Sequence, residues 1–434
     1  MFQLLSRCCL RSGIIPSILC GFPSSLPVTT VVSGGEDGTA VLEIFSILSL
    51  CASSNKDSQV GETSNVKGKL SNPCALALHS CLFLAIVAQC LKSTLRNSAL
   101  FMLTTTPKKQ LSRLKILAHY FSSDDRIKTY FQLHSASAML AFASILSLES
   151  GATVESSIYE IAVPLIPPTA TLCDLLKIAS GNADQMGPIS QSNSFSYWHG
   201  LKDGCVGLLE SRLKCGGPLA VQQMIASNIP MLLIDLLANT HSSQQIGNTR
   251  DQMMLSPAGV VSTISSIYHC LSGGVLMFRQ ILLKNEYMKL ICNLLSDVHL
   301  KLVKGWGGPG GGKDGIRDII NAVIDLLAFP FVAVQNAPGL PSATASVNSG
   351  FILNMGSAGG KVCMEDRDMA KAIEEDMGKY IKILMEVRSL LPFFFPSSFW
   401  EGVCLCHCFV MSSTAHILLS LYMSMSYILP EQSW

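Results

Sequence analysis

At 434 residues the chain has room for two or three compact domains or for one extended repeat array. With 49% hydrophobic and only 14% charged residues it holds ample material for a buried core, and its 7% aromatic content favours helices packed through Leu, Ile, Ala and Val. A net charge of +1 gives no hint of the wholesale nucleic-acid binding that a strong basic excess would mark.

The N-terminus, MFQLLSRCCLRSGIIPSILCGF, carries Arg7 and Arg11 and no acid before Glu36, as a targeting peptide would. Arg7, Arg11 and Pro16 interrupt the apolar run, so the segment fits a secretory signal badly. Residues 1–38 are read as a poorly ordered segment from a truncated or mispredicted start. From there the sequence reads as short amphipathic helices separated by brief breaks: 39–52, 73–92, 107–121, 132–148, 169–179, 196–214, 217–226, 230–238, 257–271, 275–295, 314–328 and 366–387. Asn72-Pro73, Thr106-Pro107 and Ser256-Pro257 each place a polar cap before a proline whose missing N–H costs nothing at a helix start. Alternating strand-like stretches are scarce, and the expected fold class is all-α.

A weak internal echo sharpens this expectation. LLIDLL at 232–237 recurs as LICNLL at 290–295 and in part as VIDLL at 323–327, the first two each closing a helix-break-helix unit. Such units suit an armadillo- or HEAT-like solenoid, in which each helix pair buries a face by stacking on its neighbours. The array is expected over residues 39–304. It is interrupted by a polar linker at 52–72 and by a surface insert, HSSQQIGNTRDQ, at 241–252. A glycine-rich linker at 305–315 leads to further helices over 316–387, with a long Gly/Ser/Ala/Pro-rich loop at 336–361.

The glycine run invites a nucleotide. Gly307 to Lys313 fits the phosphate-loop pattern G-x-x-x-x-G-K, and Gly310 to Gly315 fits the dinucleotide pattern G-x-G-x-x-G. Both patterns require a buried strand leading in, whereas YMKLICNLLSDVHLKLVK reads as helical. The phosphate loop also needs a hydroxyl after its lysine to hold magnesium, and here Asp314 follows Lys313, a negative charge that would repel phosphates. A stretch this rich in glycine satisfies almost any glycine pattern. It is read as a connector, with Lys313-Asp314 opening the next helix and the acid suiting a helix N-terminus.

Other chemistry is no better founded. His119, His134, His199, His269 and His299 lie far apart without metal spacing, and are read as core or surface histidines. Lys108, Lys109, Arg113 and Lys115 read as a solvated helix face. The sixteen cysteines are scattered through apolar segments with no C-x-x-C pair, and no N-x-S/T site occurs, as expected of free core thiols in the cytosol. CLCHC at 404–408 is too tightly spaced, and lacks the second ligand cluster, for a structural zinc site. The signatures G-x-S-x-G, H-E-x-x-H, H-R-D and D-F-G are absent. No catalytic, cofactor-binding or metal-ligating residue is assigned, and no enzyme activity is expected of this chain.

After Val387 the character changes. From 388 to 434 only Arg388, Glu401 and Glu431 are charged, and residues 402–429 form an uncharged run long enough to span a bilayer. Val387-Arg388 can be encoded by GTA-AGA, which has the form of a splice donor, and SLLPFFFPSSF after it would come from pyrimidine-rich codons. The tail is read as the product of a retained intron. The alternative is a helical protein anchored in a membrane through residues 402–429.

Long stretches of the chain resemble one family. SYWHGLKDGCVGLLESRLKCGGPLAVQQMIASNIPMLLIDLLA (196–238), HSASAMLAFASILSLESGATVESSIYEIAVPLIPPTATLCD (134–174) and the run from GWGGPGGGKDGIRDIINAVIDLLAF through GKYIKILMEV (305–387) resemble the plant Fused-type serine/threonine kinases. The likeness covers roughly residues 72–387 and falls in the armadillo-like region downstream of the kinase domain. The resemblance implies a cytoplasmic, protein-binding role in plant cytokinesis at the phragmoplast, with phragmoplast kinesins as partners. It carries over no catalytic residue, because the kinase domain itself is not matched.

Overall fold

The computed structural model describes residues 1–12, 14–19, 40–57, 73–93, 107–121, 133–148, 162–181, 197–242, 255–306, 310–335 and 364–387. Among them every regular element is a helix and no strand occurs, so the all-α expectation holds. The chain divides into two units, Met1–Ser266 with Leu302–Asp318, and Ile267–Lys301 with Ile319–Trp434. Expectations for residues 58–72, 243–252, 336–361 and 388–434, including the span at 402–429 and CLCHC, lie outside the described residues.

The first unit begins with α1 (Phe2–Arg11) and α2 (Ile14–Leu19), where a poorly ordered segment was expected. The difference has a simple cause. Arg7 and Arg11 break the apolar run in sequence but leave a clean stripe on a helix, with both arginines exposed and Cys9 buried. Phe2 lies with its ring 5.5 Å from that of Phe83, and the Cys90 thiol donates to the Cys9 carbonyl at 3.6 Å.

Next come α3 (Ala40–Asp57), α4 (Pro73–Ser93), α5 (Pro107–His119), α6 (Leu133–Leu148), a 3-10 turn at Val163–Leu165, α7 (Thr169–Gly181), α8 (Tyr197–Ala226) and α9 (Ile229–Ser242). Both α4 and α5 start at the proline that the sequence placed at the first helical position. The first six residues of the supposed 52–72 linker belong to α3. Helix α4 packs on α3 and α6, α6 on α5 and α8, and α8 on α7, while α3 also meets α5. Within α4, Cys74–Leu91 is long and apolar enough to cross a membrane; here it lies among α1, α3 and α6 with more than half of it buried.

Helix α6 is the centre of this packing. Every side chain from Ser135 to Ser147 is buried, because the stretch SASAMLAFASILS carries no charge on any face. Burying each of Met139, Leu140, Phe142, Ile145 and Leu146 contributes about 1.5–3 kcal/mol. Its hydroxyls find partners: Ser135 Oγ donates to the Tyr120 carbonyl at 2.6 Å, and Ser144 Oγ accepts from Gln89 Nε2 at 3.3 Å. Where α6 meets α8, Ala143 and Met139 face Gly207 and Gly204. A Cβ added at Gly207 would lie 2.7 Å from Ala143 Cβ, and one at Gly204 would lie 2.9 Å from Met139 Cβ.

Helix α8 runs unbroken through Pro218, although a break at 215–216 was expected. Gly217 precedes the proline and has no Cβ to meet its ring, which removes the usual conflict at that position. The helix ends instead at Asn228, whose φ of 55° lies in the left-handed region that asparagine tolerates. The chain thereby turns by 69° into α9.

The helices that follow are α10 (Pro257–Leu271), α11 (Val275–Ile281), α12 (Asn285–Asn293), α13 (Asp297–Gly305), α14 (Gly312–Gln335) and α15 (Met364–Val387), and the boundary between the units falls within α10, α13 and α14. The expected single helix over 275–295 is two, α11 and α12, parted by a turn at Leu282–Lys284. No glycine or proline marks that turn, and Leu282 is wholly buried within it, so packing rather than local sequence places it. In the second unit α15 packs on α11 and α12. Tyr380 is buried and donates its hydroxyl to the Leu327 carbonyl at 2.6 Å, with the rings of Phe278 and Phe331 at 5.9 and 5.8 Å. Asp376 accepts from Lys379 at 2.7 Å and from Arg279 at 2.5 Å, and these two cations hold its carboxyl below the usual aspartate range.

The sequence echo has a physical meaning in this frame. In LLIDLL, LICNLL and VIDLL the matching positions Leu233, Ile291 and Val323 are buried, as are Leu236, Leu294 and Leu326, and Leu237, Leu295 and Leu327. The polar member between them, Asp235, Asn293 or Asp325, is exposed or half-buried.

The close approach of α6 and α8 leaves no room at Gly207. Gly207→Leu is expected to destabilise the chain by about 1–3 kcal/mol or more through overpacking, read as a lower urea midpoint. An unchanged midpoint would mean that the two helices are not held at this separation.

Candidate functional site

The sequence-predicted caps lead to a buried polar arrangement in the first unit, at the start of α10. Ser256 precedes Pro257, and its Oγ accepts the Gly259 N–H at 3.1 Å, while its carbonyl accepts Val260 N–H at 2.9 Å. This is the N-cap that the Ser-Pro pair announced. The Ser256 N–H itself donates to Asp203 Oδ1 at 3.1 Å, across 53 residues. Asp203 comes from the second turn of α8 and is 3% exposed. Gly259 makes room for it, since a Cβ there would fall on the Asp203 carboxylate.

The second oxygen, Asp203 Oδ2, is buried without a hydrogen-bond partner. Burial raises the carboxyl to about 7, against the lowering by Ser256's two hydrogen bonds and the neighbouring Lys202. Lys202 is itself 1% exposed, and burial pushes its ammonium down, with Asp203 partly opposing. Sequence reasoning missed Asp203. The available signal was a Lys-Asp pair inside an otherwise apolar stretch, HGLKDGCVGLL, where a helix buried on all sides has no solvent for charges.

The glycine run touches the same helix start. Gly310 has φ of +77°, which a side chain would strain, and a Cβ there would lie 2.6 Å from the Ala258 nitrogen. Helix α13 ends at Gly305 and α14 starts at Gly312, so that Lys313 and Asp314 lie in the first turn of α14. A helix, α13, precedes it where a phosphate loop needs a strand. Asp314 pairs with Arg317 at 3.0 Å, and both side chains are about half exposed or more. The glycine at 310 is thus explained by backbone packing against α10, with no phosphate needed.

The other candidates resolve separately. His119 and His134 each lie with the ring 6.0 Å from that of Tyr120. His134 is half-buried, which lowers its basicity, and Tyr120 donates to the Leu48 carbonyl at 2.6 Å. His269 and His299 lie in the second unit, and the side chain of His199 lies outside the described residues. On α5, Lys115 is exposed and Arg113 half-buried. Among the described residues no three His, Cys, Asp or Glu side chains converge on a metal position.

No disulfide joins the described cysteines. Cys9, Cys51, Cys81, Cys173, Cys205, Cys270 and Cys292 are buried, and Cys74 is exposed. Burial pushes Cys9 to about 11 and Cys270 and Cys292 to about 12, so these side chains are not thiolate nucleophiles near neutrality.

What these residues do chemically is cap and lock helices. The described part of the chain defines an all-helical segment whose best-organised polar groups serve its own helix termini. In sequence the chain is 63% identical over 388 residues, 89% of its length, to the serine/threonine-protein kinase TIO of Arabidopsis thaliana. The chain is therefore homologous to a segment of that Fused-type kinase, as the resemblance in sequence indicated. It spans 29% of the relative's length. No family model matches the chain, and no solved structure matches it.

Two outcomes are expected here. Ser256→Ala removes the cap of α10 and should lower stability by about 1 kcal/mol, read from denaturant midpoints at constant slope. Titration calorimetry with magnesium-ATP should show no saturable binding; binding that Lys313→Ala abolishes would restore the phosphate-loop reading.

Proposed function

We propose that this segment is a non-catalytic, protein-binding part of a Fused-type kinase that acts in plant cytokinesis. Its partners are kinesins of the phragmoplast, and its place is the cytoplasm at that structure. The observation that carries the reading is the 63% identity over 388 residues to a stretch covering 29% of a serine/threonine kinase. Such a stretch, without kinase signatures, has docking as its natural role within the longer protein.

The helix order supports a repeat architecture as the vehicle. α3 packs with α4, α5 with α6 and α7 with α8, while α4, α6 and α8 follow one another and α3 meets α5. This is the neighbour-on-neighbour pattern by which armadillo- and HEAT-like helix pairs bury their faces. Stacked pairs leave a long continuous surface for a partner.

The chain, verified as helical by circular dichroism, is expected to retain phragmoplast kinesins in a pull-down from dividing plant cells. A folded chain that retains none of them, while a control kinesin-binding protein does, would overturn the proposal.

A further inference from the structure

The start of α10 is held from two sides. On one side Asp203 of α8 accepts the Ser256 N–H and occupies the space that a side chain at Gly259 would need. On the other, the backbone of Gly310 rests on Ala258. Within the cap the Ser256 Oγ accepts the Gly259 N–H, while the Ser256 N–H goes to Asp203.

We propose that Asp203 is a proton-operated latch: with its carboxyl neutral, the start of α10 stays seated on α8, and loss of that proton loosens the seat. The geometry gives the reason. Oδ2 is buried and has no hydrogen-bond partner, so the ionised form places charge on an oxygen that neither solvent nor a donor stabilises. The neutral carboxyl keeps Oδ1 as acceptor for Ser256.

The surroundings contain little that could compensate. Lys202 is the charged side chain acting on Asp203, and it is itself buried. Helix α6 presents no ionisable side chain between Ser135 and Ser147. On α7, Asp174 and Lys177 are exposed and act on Cys173. On α9, Asp235 is exposed, and α10 faces the carboxyl with Ser256 and Gly259. At the start of α14, Lys313 and Asp314 are exposed.

The direction of the effect follows from linkage. The closed state holds the proton up to about 7, whereas the open, solvated carboxyl loses it near 3.8. Between those values the closed state binds more protons, so its advantage is complete at low pH and is lost as pH rises through about 7.

Amide hydrogen exchange on the intact chain reads this directly, once the intrinsic chemical rate is divided out. For the amides of Ala258 to Ile264, the opening constant is expected to rise by up to roughly tenfold per pH unit between about 5 and 7 and to level off above. In Asp203→Asn, which keeps the acceptor for Ser256 and cannot ionise, it should stay flat. A flat wild-type profile, or the same slope in Asp203→Asn, overturns the latch. Should that variant fail to fold, the wild-type Asp203 carboxyl carbon can be titrated by NMR. A midpoint near 7 supports the latch, and one near 4 overturns it.

Discussion

Two helices come closest where one partner presents glycine and the other offers side chains no larger than alanine, and α8 meets α6 in that way at Gly207 and Ala143. The consequences spread outward from this approach. Because α6 is uncharged along its whole circumference, it can be enclosed by α4, α5 and α8 at once. Because α8 is drawn so close, residues of its first turns, Lys202 and Asp203 included, are carried out of water. Asp203 then has to find its donor inside the protein, and it finds the start of α10.

The second unit solves the same problem differently. Its charged contact is Asp376 with Lys379 and Arg279, whose cationic side chains are half exposed or more, so two donors are free to reach one buried carboxylate. That acid sits below the usual range, whereas Asp203, with one oxygen unmatched, sits far above it. Desolvation is the largest influence on Asp203, whereas at Asp376 the two cationic donors outweigh it.

Much of the fold was legible because the dominant signals were local. Helical spacing of apolar residues and Ser-Pro or Asn-Pro starts depend on neighbours a few residues away, and they placed α4, α5, α6, α7 and α10 to within two residues at either end. What escaped was set at long range or by steric detail. Pro218 and Pro330 continue their helices against the usual expectation, and the turn between α11 and α12 has no breaker in its sequence. The Asp203–Ser256 contact joins residues 53 positions apart, and no spacing rule connects them. The contact of Gly310 with Ala258 could not be seen without the fold.

The distribution of thiols gives the molecule an internal set of reporters. Cys51, Cys81, Cys173, Cys205 and Cys292 lie buried in α3, α4, α7, α8 and α12, one to a helix, while Cys74 is exposed in the native state. A small alkylating reagent therefore meets Cys74 without any opening, and each buried sulfur only when its own helix parts from its neighbours. The order in which those sulfurs become labelled under mild denaturant is a map of which helices separate first, written by the chain's own side chains.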